Sequence, residues 1–445
     1  MIAYRASVVR PVAAPDIPDG AVVVHGDRIA WVGAASQAPA AELNDLGAVV
    51  LGPGLVNAHT HLDLTLTRGL LGGLGFLDWI RTVTRLKRAA SAELLFDSAL
   101  AGIHEGLRHG VTTYADTSDN DAALRAMASA GVRGVTYREV FGPDPAVASA
   151  MLHALQQHVA AMRSIAPALV RVGISPHAPY SVSDALYRAA AHCARVERLP
   201  MAVHIAESED ETLLVREGRG EFAGFLRSRG IDVAPRSRSP IALLDACGVL
   251  EADPLLIHCV QVDDTDIASI ARHDCGVAHC PRSNAAFRHG TSPAAALRAA
   301  GIRIAIGTDS VALLDGMDPL AEATVAARLA GAAAAAAPPA MAGSHGAAAL
   351  LRWVSLDSAR ALGIDSQVGS LEAGKQADLA AFPLPPRTPY AASVMDRTHD
   401  AVFVAVAGQV LVRNGRILRS ANGLEGRLDA HRKALMEWRR RDTNT

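Results

Sequence analysis

Two histidines stand two residues apart in "NAHTH", residues 57–61, directly after an apolar stretch. Side chains of a β-strand alternate between its faces, so His59 and His61 point the same way if the strand continues through them. Two imidazoles that face one point form part of a metal site when other ligands arrive from elsewhere in the chain. The alternative is a strand end with two solvated histidines, and the H-x-H pattern alone does not separate the two interpretations.

Apolar runs that end in ionisable residues recur along the middle of the chain. They lie at residues 55–61, 111–116, 132–140, 169–177, 201–207, 255–259, 276–280 and 302–309. The polar residues at or near their ends are His59, His61, Asp116, Arg138, Glu139, His177, His204, Glu207, His258, His279 and Asp309. Alanine-rich amphipathic segments separate the runs, so the pattern predicts an α/β protein with a (β/α)8 TIM barrel. The carboxyl ends of barrel strands meet at one face, where we expect the site.

The two ends of the chain have a different pattern. Residues 1–54 and 363–422 contain short alternating strands with turns at Gly-Asp and Asn-Gly. We predict that these segments pair into one small β-sandwich domain beside the barrel, which spans residues 55–362. Residues 423–445 are predicted to form a polar C-terminal helix and tail.

Composition excludes several classes of function. The 445 residues have a net charge of -2 at pH 7, so no basic field exists to hold nucleic acid or an anionic membrane. No apolar stretch has membrane-spanning length, and Arg5 and Arg10 interrupt the segment where a signal peptide would be apolar. Five cysteines without a C-x-x-C pair indicate reduced thiols. We expect a cytoplasmic protein with a small-molecule substrate, and the sequence leaves a homodimer open.

Several motifs, taken in order, resemble one family. "PGLVNAHTHLD", "SPHAPYSVS", "HIAESEDE", "HCVQVDD", "HCPRSN" and "IGTDS" resemble the amidohydrolase superfamily, in its branch of mononuclear metal-dependent deaminases and chlorohydrolases. The resemblance runs from about residue 20 to 415 and includes "VGSLEAGKQADL" near the C-terminus. The segments "REVFG" and "GEFAGFL" are similar to the subgroup of 6-aminodeoxyfutalosine deaminases.

The chemistry of the residues agrees with this resemblance. Three imidazoles and one carboxylate suit zinc or ferrous iron. The chain offers them in His59, His61, His204 and Asp309. The metal would lower the pKa of a water that attacks the substrate, and Asp309 would take its proton. Glu207 would protonate a ring nitrogen and then the departing amine. His258 would hydrogen-bond the attacking water, or would only support a ligand.

The number of metals follows from the scarcity of lysine. The only lysines are Lys87, Lys375 and Lys433, and none of them ends a predicted strand. Binuclear relatives bridge two metals with a carbamylated lysine near the end of the fourth strand, where this chain has His177. We therefore expect one divalent metal per chain, zinc or else Fe(II).

Four residues are candidates for substrate binding. His177 resembles the family's substrate-contacting histidine, or it only fixes the prolines of its loop. Arg138 and Glu139 would meet a polar or charged group of the substrate, or they form an internal salt bridge. Trp79 would pack on a ribose or a ring, or it anchors the core.

These observations lead to one main function and three alternatives. The main reading is hydrolytic deamination of an adenine-type nucleoside, with 6-aminodeoxyfutalosine in menaquinone biosynthesis as the specific candidate. Deamination of S-adenosylhomocysteine or methylthioadenosine is the second reading. Dechlorination of a triazine or hydrolysis of a cyclic amide comes next. The last is an inactive assembly protein, which predicts missing metal ligands.

Overall fold

The computed structural model describes residues 1–333, 344–384, 400–419 and 422–442. The strands are β1 (Ile2–Val9), β2 (Ile17–His25), β3 (Arg28–Ala34), β4 (Glu42–Asp45), β5 (Val49–Pro53), β6 (Leu55–Thr60), β7 (Val111–Ser118), β8 (Arg133–Val140), β9 (Val170–Pro176), β10 (Ala202–Ile205), β11 (Leu255–His258), β12 (Gly276–His279), β13 (Ile304–Ile306), β14 (Leu379–Pro383), β15 (Phe403–Val406), β16 (Gln409–Arg413) and β17 (Arg416–Ile417). The helices are α1 (Phe76–Ala89), α2 (Ala92–Arg108), α3 (Ala122–Ala130), α4 (Ala148–Ile165), α5 (Asp184–Glu197), α6 (Glu209–Glu217), α7 (Glu221–Ser228), α8 (Pro240–Ala246), α9 (Asp264–Arg272), α10 (Pro281–Ala286), α11 (Ala294–Ala299), α12 (Pro319–Ala333), α13 (Ser344–Arg352), α14 (Ser358–Ala361) and α15 (Leu424–Asp442).

Each of the eight apolar runs contains a strand, from β6 to β13. Among the described residues, β6 to β9 form one parallel sheet of four strands and β10 to β13 form another. Isolated parallel bridges link Ile174 to Met201 and Thr60 to Asp309, so the two sheets contact each other at both edges. Helices alternate with these strands. The predicted α/β class is therefore confirmed, and every strand of this part directs its carboxyl end the same way.

Two apolar clusters cover the two faces of these strands. The inner cluster contains Val56, Ala58, Val135 and Ile257 from the strands, together with Ala359 of α14. The outer cluster lies between the strands and the surrounding helices. Because both faces are buried, the strands read as nearly continuous apolar runs, and ionisable residues are confined to the strand ends. The packing therefore leaves the strand ends for charged side chains, such as Arg133 at the start of β8 and Glu139 near its carboxyl end.

The two termini meet in one mixed sheet. Its order is β17-β16-β15-β14-β5-β1-β2-β3, with β4 paired to β1. β5 from the N-terminal segment pairs antiparallel with β14 from the C-terminal segment, so the two segments combine as predicted. The described strands belong to one continuous hydrogen-bonded sheet, and its folding into the two layers of a sandwich stays a prediction. The sheet has its own apolar core, which includes Tyr4, Leu51 and Phe403.

Helix α15 packs against α2 and the turn that follows β6. Arg427 of α15 donates to the buried carboxylate of Asp97 at 2.7 Å, and Leu435 is buried. The polar helix predicted at the C-terminus therefore rests on the wall of the strand region. No described helix has the length and apolar character needed to cross a membrane.

Candidate active site

Four of the predicted residues converge at the carboxyl ends of β6, β10 and β13. Nε2 of His59 lies 3.1 Å from Oδ1 of Asp309, and Nε2 of His61 lies 3.4 Å from the same oxygen. The ring of His204 lies 4.9 Å from that of His59 and 5.4 Å from that of His61, between centroids. Donor atoms of His59, His61 and Asp309 therefore lie within 4.8 Å of one another, and His204 joins His59 in an adjacent donor group with His258.

The orientation of His59 depends on an irregularity in β6. Val56 and Ala58 both lie in the inner cluster, so strict alternation would turn His59 towards the outer face. The pairing of β6 with β7 shifts register before the strand ends at Thr60, and such a bulge redirects the side chains at that point. His61 lies beyond the strand and begins the next turn. The two histidines converge because of this bulge, and simple alternation does not explain it.

Left-handed backbone conformations shape the other strand ends. Ala206 has φ 52°, His258 has φ 79° and Asp309 has φ 58°. These values are uncommon for residues other than glycine and cluster at functional sites, because the surrounding structure must hold them. Gly307 contributes in another way, since a Cβ there would lie 2.7 Å from Cβ of His59. A glycine at this position lets the end of β13 approach β6, where the backbone N–H of Asp309 donates to the carbonyl of His59 at 2.9 Å.

The carboxylate of Asp309 is held from two sides. Its Oδ1 faces His59 and His61, while its Oδ2 accepts from the hydroxyl of Ser283 at 2.5 Å. Burial opposes ionisation, but the hydrogen bond and charge of His59 and the charges of His258 and His61 outweigh it. They hold the pKa of Asp309 well below its ordinary value. Asp309 is thus an anion that faces the imidazoles.

Burial favours the neutral forms of His61 and His204, and the neutral imidazole is the form that binds a metal. Burial, followed by the neighbouring His59, lowers the pKa of His61 to about 3. Burial and the surrounding histidines also hold the pKa of His204 well below its ordinary value. The ring of His204 makes no hydrogen bond to the part of the chain that the structure describes, and its Nδ1 is buried. Within the described residues, no hydrogen bond to Nδ1 of His204 competes with a metal.

The spacing of the donor atoms fits one ion. Ligands about 2.0–2.2 Å from a single metal lie roughly 3.0–3.6 Å apart, depending on geometry. The separations of 3.1 and 3.4 Å from Oδ1 of Asp309 to His59 and His61 fall in this range. Borderline-soft nitrogen donors with one carboxylate suit zinc or ferrous iron. The residues present therefore fit a divalent transition metal.

Glu207 lies beside this centre and between two histidines. Its Oε1 is 3.5 Å from Nε2 of His258 and 3.4 Å from Nε2 of His289. Burial favours the neutral acid, but His258 and then His289 outweigh it and lower the pKa of Glu207. Nδ1 of His258 lies 3.0 Å from Oδ1 of Asn284, which fixes the imidazole. The backbone N–H of Glu207 donates to the buried carboxyl of Glu211 at 3.2 Å.

The candidate substrate residues divide into two groups. Glu139 faces the site, where its Oε1 lies 3.9 Å from Nε2 of His177, and the His177 ring is 4.8 Å from that of His204. Arg138 precedes Glu139 in β8 and takes the opposite face of the strand. Its electrostatic neighbours include Asp119. The structure therefore brings His177 and Glu139 to the centre and does not bring Arg138 there.

Burial strongly shifts the pKa of Glu139, which lies on the side of the site formed by β8. It raises the pKa of Glu139 to about 8, although the charge of Lys87 opposes the shift. Lys87 extends from α1 to this side of the site, and its Nζ lies 2.8 Å from Asp63 and 3.1 Å from Asp119. Burial opposes its charge, but these two carboxylates outweigh burial and raise the pKa of Lys87. Lys87 is therefore a paired ammonium, and the described contacts give it no bridging role between metals.

Trp79 lies in an aromatic layer next to Glu207. Its ring is 5.2 Å from that of Phe287, which stacks on His289 at 5.4 Å. Phe76 packs against both of these residues. Trp79 is half-buried, so it borders the site through its neighbours.

Two residues next to Glu207 did not emerge from the sequence. His289 lies in a loop, and Glu211 lies inside α6, so neither ends a strand. The only signal for His289 was its position five residues after Asn284, which itself contacts His258. Loop histidines are common, and this signal is too weak to select one.

Comparisons with known proteins agree with the geometry. The Amidohydrolase family model matches residues 50–418. The chain is 31% identical over 429 residues to the 5-methylthioadenosine/S-adenosylhomocysteine deaminase of Moorella thermoacetica, with 94% of each chain covered. It is 34% identical over 335 residues to the aminodeoxyfutalosine deaminase of Deinococcus radiodurans, covering 70% of this chain and 76% of that protein. It superimposes with TM-score 0.80 and 26% identity on an adenosine deaminase from Xanthomonas campestris with bound zinc, covering 99% of this chain and 98% of that one.

Parallel strands that bring His59, His61 and Asp309 together at their carboxyl ends are typical of a hydrolase with a divalent metal site. The chain belongs to the Amidohydrolase family. The expectation of an enzyme of this superfamily is confirmed.

Proposed function

We propose that this protein is a metal-dependent hydrolytic deaminase of an adenine-type nucleoside. The observation that carries the proposal is the position of Glu207, an acid–base group within 3.5 Å of His258 and next to the centre of His59, His61 and Asp309. Relatives named as deaminases of adenine nucleosides support it. The presence of all four proposed ligands argues against the inactive assembly protein. In this proposal the eight strands close into one barrel, residues 55–362, flanked by segments 1–54, 363–422 and 423–445.

Each residue has a task in the proposed reaction. His59, His61, His204 and Asp309 would hold one divalent ion. That ion, when bound, makes a water molecule acidic enough to act as a nucleophile near neutral pH. The Asp309 carboxylate accepts a proton at its oxygen. The two protons of the attacking water supply both further transfers, in which Glu207 carries one to a ring nitrogen of the base and then the other to the leaving amine. His258, fixed by Asn284, orients the attacking water or supports Glu207.

We predict one tightly bound divalent metal per chain. The donors of His59, His61 and Asp309 lie together, and the ring of His204 lies beside those two histidines. Lys87 is paired with carboxylates instead of bridging two ions. Elemental analysis of purified protein is expected to give about one equivalent of zinc, or of iron if Fe(II) is the native ion. Two equivalents would contradict the prediction. They would direct attention to the adjacent donor group of Glu139, His177 and His204.

We predict deamination of 6-aminodeoxyfutalosine, with a kcat/KM well above that for adenosine. Release of ammonia from 6-aminodeoxyfutalosine, S-adenosylhomocysteine, methylthioadenosine and adenosine tests the function. E207Q protein in each assay excludes a contaminating deaminase. Preference for 6-aminodeoxyfutalosine would support a role in menaquinone biosynthesis, while preference for either sulfur nucleoside would support the second reading. Turnover of a triazine or cyclic amide, with every nucleoside inert, would overturn the proposal.

The same assay tests the position of Arg138. The sequence pointed to Arg138 as the partner of a substrate carboxylate, because arginine binds carboxylates through two parallel hydrogen bonds. Its place on the outer face of β8 removes that support. Within the substrate panel, R138A is therefore expected to leave the order of kcat/KM values unchanged.

A further inference from the structure

His289 lies in a loop that both flanks hold in place. The loop follows α10, and its backbone takes the left-handed conformation at Arg288, with φ 58°, and at Gly290, with φ 106°. The N–H of His289 donates to the carbonyl of Asn284 at 2.9 Å. Its own carbonyl accepts from the side chain of Gln261 at 2.6 Å. The side chain is therefore presented from a fixed backbone.

Aromatic neighbours fix the plane of the His289 ring. The ring stacks on Phe287 at 5.4 Å with an interplanar angle of 21°. Phe76 of α1 meets it edge-on at 4.5 Å and 75°. Only 9% of the residue is exposed. Nε2 of His289 is buried without a hydrogen-bond partner among the described residues, and it lies 3.4 Å from Oε1 of Glu207.

Both imidazoles next to Glu207 contact the same carboxylate oxygen. Nε2 of His289 and Nε2 of His258 lie 3.4 and 3.5 Å from Oε1 of Glu207. His258 approaches from the end of β11 and His289 from the loop after α10, so together they restrict rotation of the carboxyl group. Neither of these two contacts involves the second oxygen, Oε2.

We propose that His289 is a positioning residue that holds Oε1 of Glu207, so that Oε2 is directed at the substrate. The proposal rests on the proposed deaminase function, in which Glu207 moves the proton. A proton carrier must be within hydrogen-bond reach of the atom it serves, and a displacement of about 1 Å can cost roughly 10²-fold in rate. His289 acts through Glu207, so its contribution should appear in kcat and little in KM.

Two substitutions separate the ring of His289 from the contact that its Nε2 makes with Glu207. H289F keeps an aromatic ring against Phe76 and Phe287 but has no donor. H289Q keeps an N–H donor near the position of Nε2 but loses the ring. We expect H289F to lower kcat about 10- to 100-fold, with KM changed less than about threefold and metal content unchanged. We expect H289Q to recover most of that loss. A purely structural role in the aromatic layer predicts the reverse order, and that result would overturn the proposal.

A second pair of measurements shows whether the effect passes through Glu207. Residues that act as a unit are non-additive, so H289F should change the residual kcat of E207Q by less than about twofold. An equal loss in both backgrounds would overturn the proposal. H153F, at an exposed histidine of α4, controls for the substitution itself.

Crystal structures of H289F and H289Q separate this proposal from the deaminase assignment. The Glu207 carboxyl is expected to rotate in H289F and to keep its wild-type orientation in H289Q. If wild-type protein released no ammonia from any nucleoside, the proposed function would fail, yet these structures would still decide whether His289 orients Glu207. An unchanged Glu207 in H289F would overturn the positioning role whatever the substrate.

Discussion

Glu207→Gln is expected to lower kcat by about 10²- to 10⁴-fold while metal content stays at the wild-type level. Glutamine keeps the length of the side chain and an acceptor oxygen for His258 and His289, which lie 3.5 and 3.4 Å from Oε1. It cannot carry a proton. The variant therefore removes proton transfer and leaves the shape of the site intact.

The matched control is Glu209→Gln, which removes a carboxylate from the exposed start of α6, two residues further on. Its kcat is expected to equal that of the wild type. Steady-state ammonia release and elemental analysis on the same preparations give both readouts. If E207Q lost its metal, Glu207 would be a ligand, and its assignment as the proton carrier would be wrong.

The positions of the strands could be predicted from the sequence, because the apolar pattern that marks each strand lies within the strand itself. Both faces of β6 to β13 are buried, so each strand is an apolar run, and the ionisable residues collect where the run meets the open end. His59, His204 and Asp309 could be assembled from that pattern alone, without knowledge of which strands are neighbours. The resemblance to the family then supplied their roles.

The orientation of the side chains at the strand ends could not be predicted from the sequence. His59 reaches the centre through a register shift against β7, and Asp309 through a left-handed backbone. Both depend on contacts between distant segments, such as the approach of Gly307 to His59. Hydrophobic periodicity describes one strand at a time and contains no information about these contacts.

Arg138 and Glu139 show a different limit. Adjacent residues of a strand face opposite sides, so the sequence already implied that only one of them could reach the site. It did not say which one, because the choice depends on the inward orientation of Val135 and Tyr137 in the same strand. No comparable alternation pattern marks His289 in the sequence. Its burial results from packing against Phe76, a residue more than 200 positions away in the chain.

Asp309→Asn is expected to reduce kcat at least about 10³-fold and to lower metal retention as well. The native carboxylate uses both oxygens, since Oδ1 faces His59 and His61 while Oδ2 accepts from Ser283 at 2.5 Å. An asparagine has one acceptor oxygen. Its amide group must point either at the metal position, where an N–H cannot bind a cation, or at Ser283. The negative charge that the proton transfer requires is lost in both orientations.

Metal content and rate together decide what Asp309 does. Dialysis against a chelator, followed by elemental analysis, should remove metal from D309N faster than from the wild type. Rates measured with saturating zinc then separate lost metal from lost proton acceptance. Asp365→Asn, at a partly exposed residue paired with Arg360 beyond α14, is the control and should match the wild type in both respects. Normal turnover by D309N would show that Asp309 neither binds the metal nor accepts the proton. Full metal retention with a 10³-fold slower rate would instead assign it to proton transfer, because ligand loss and charge loss then separate.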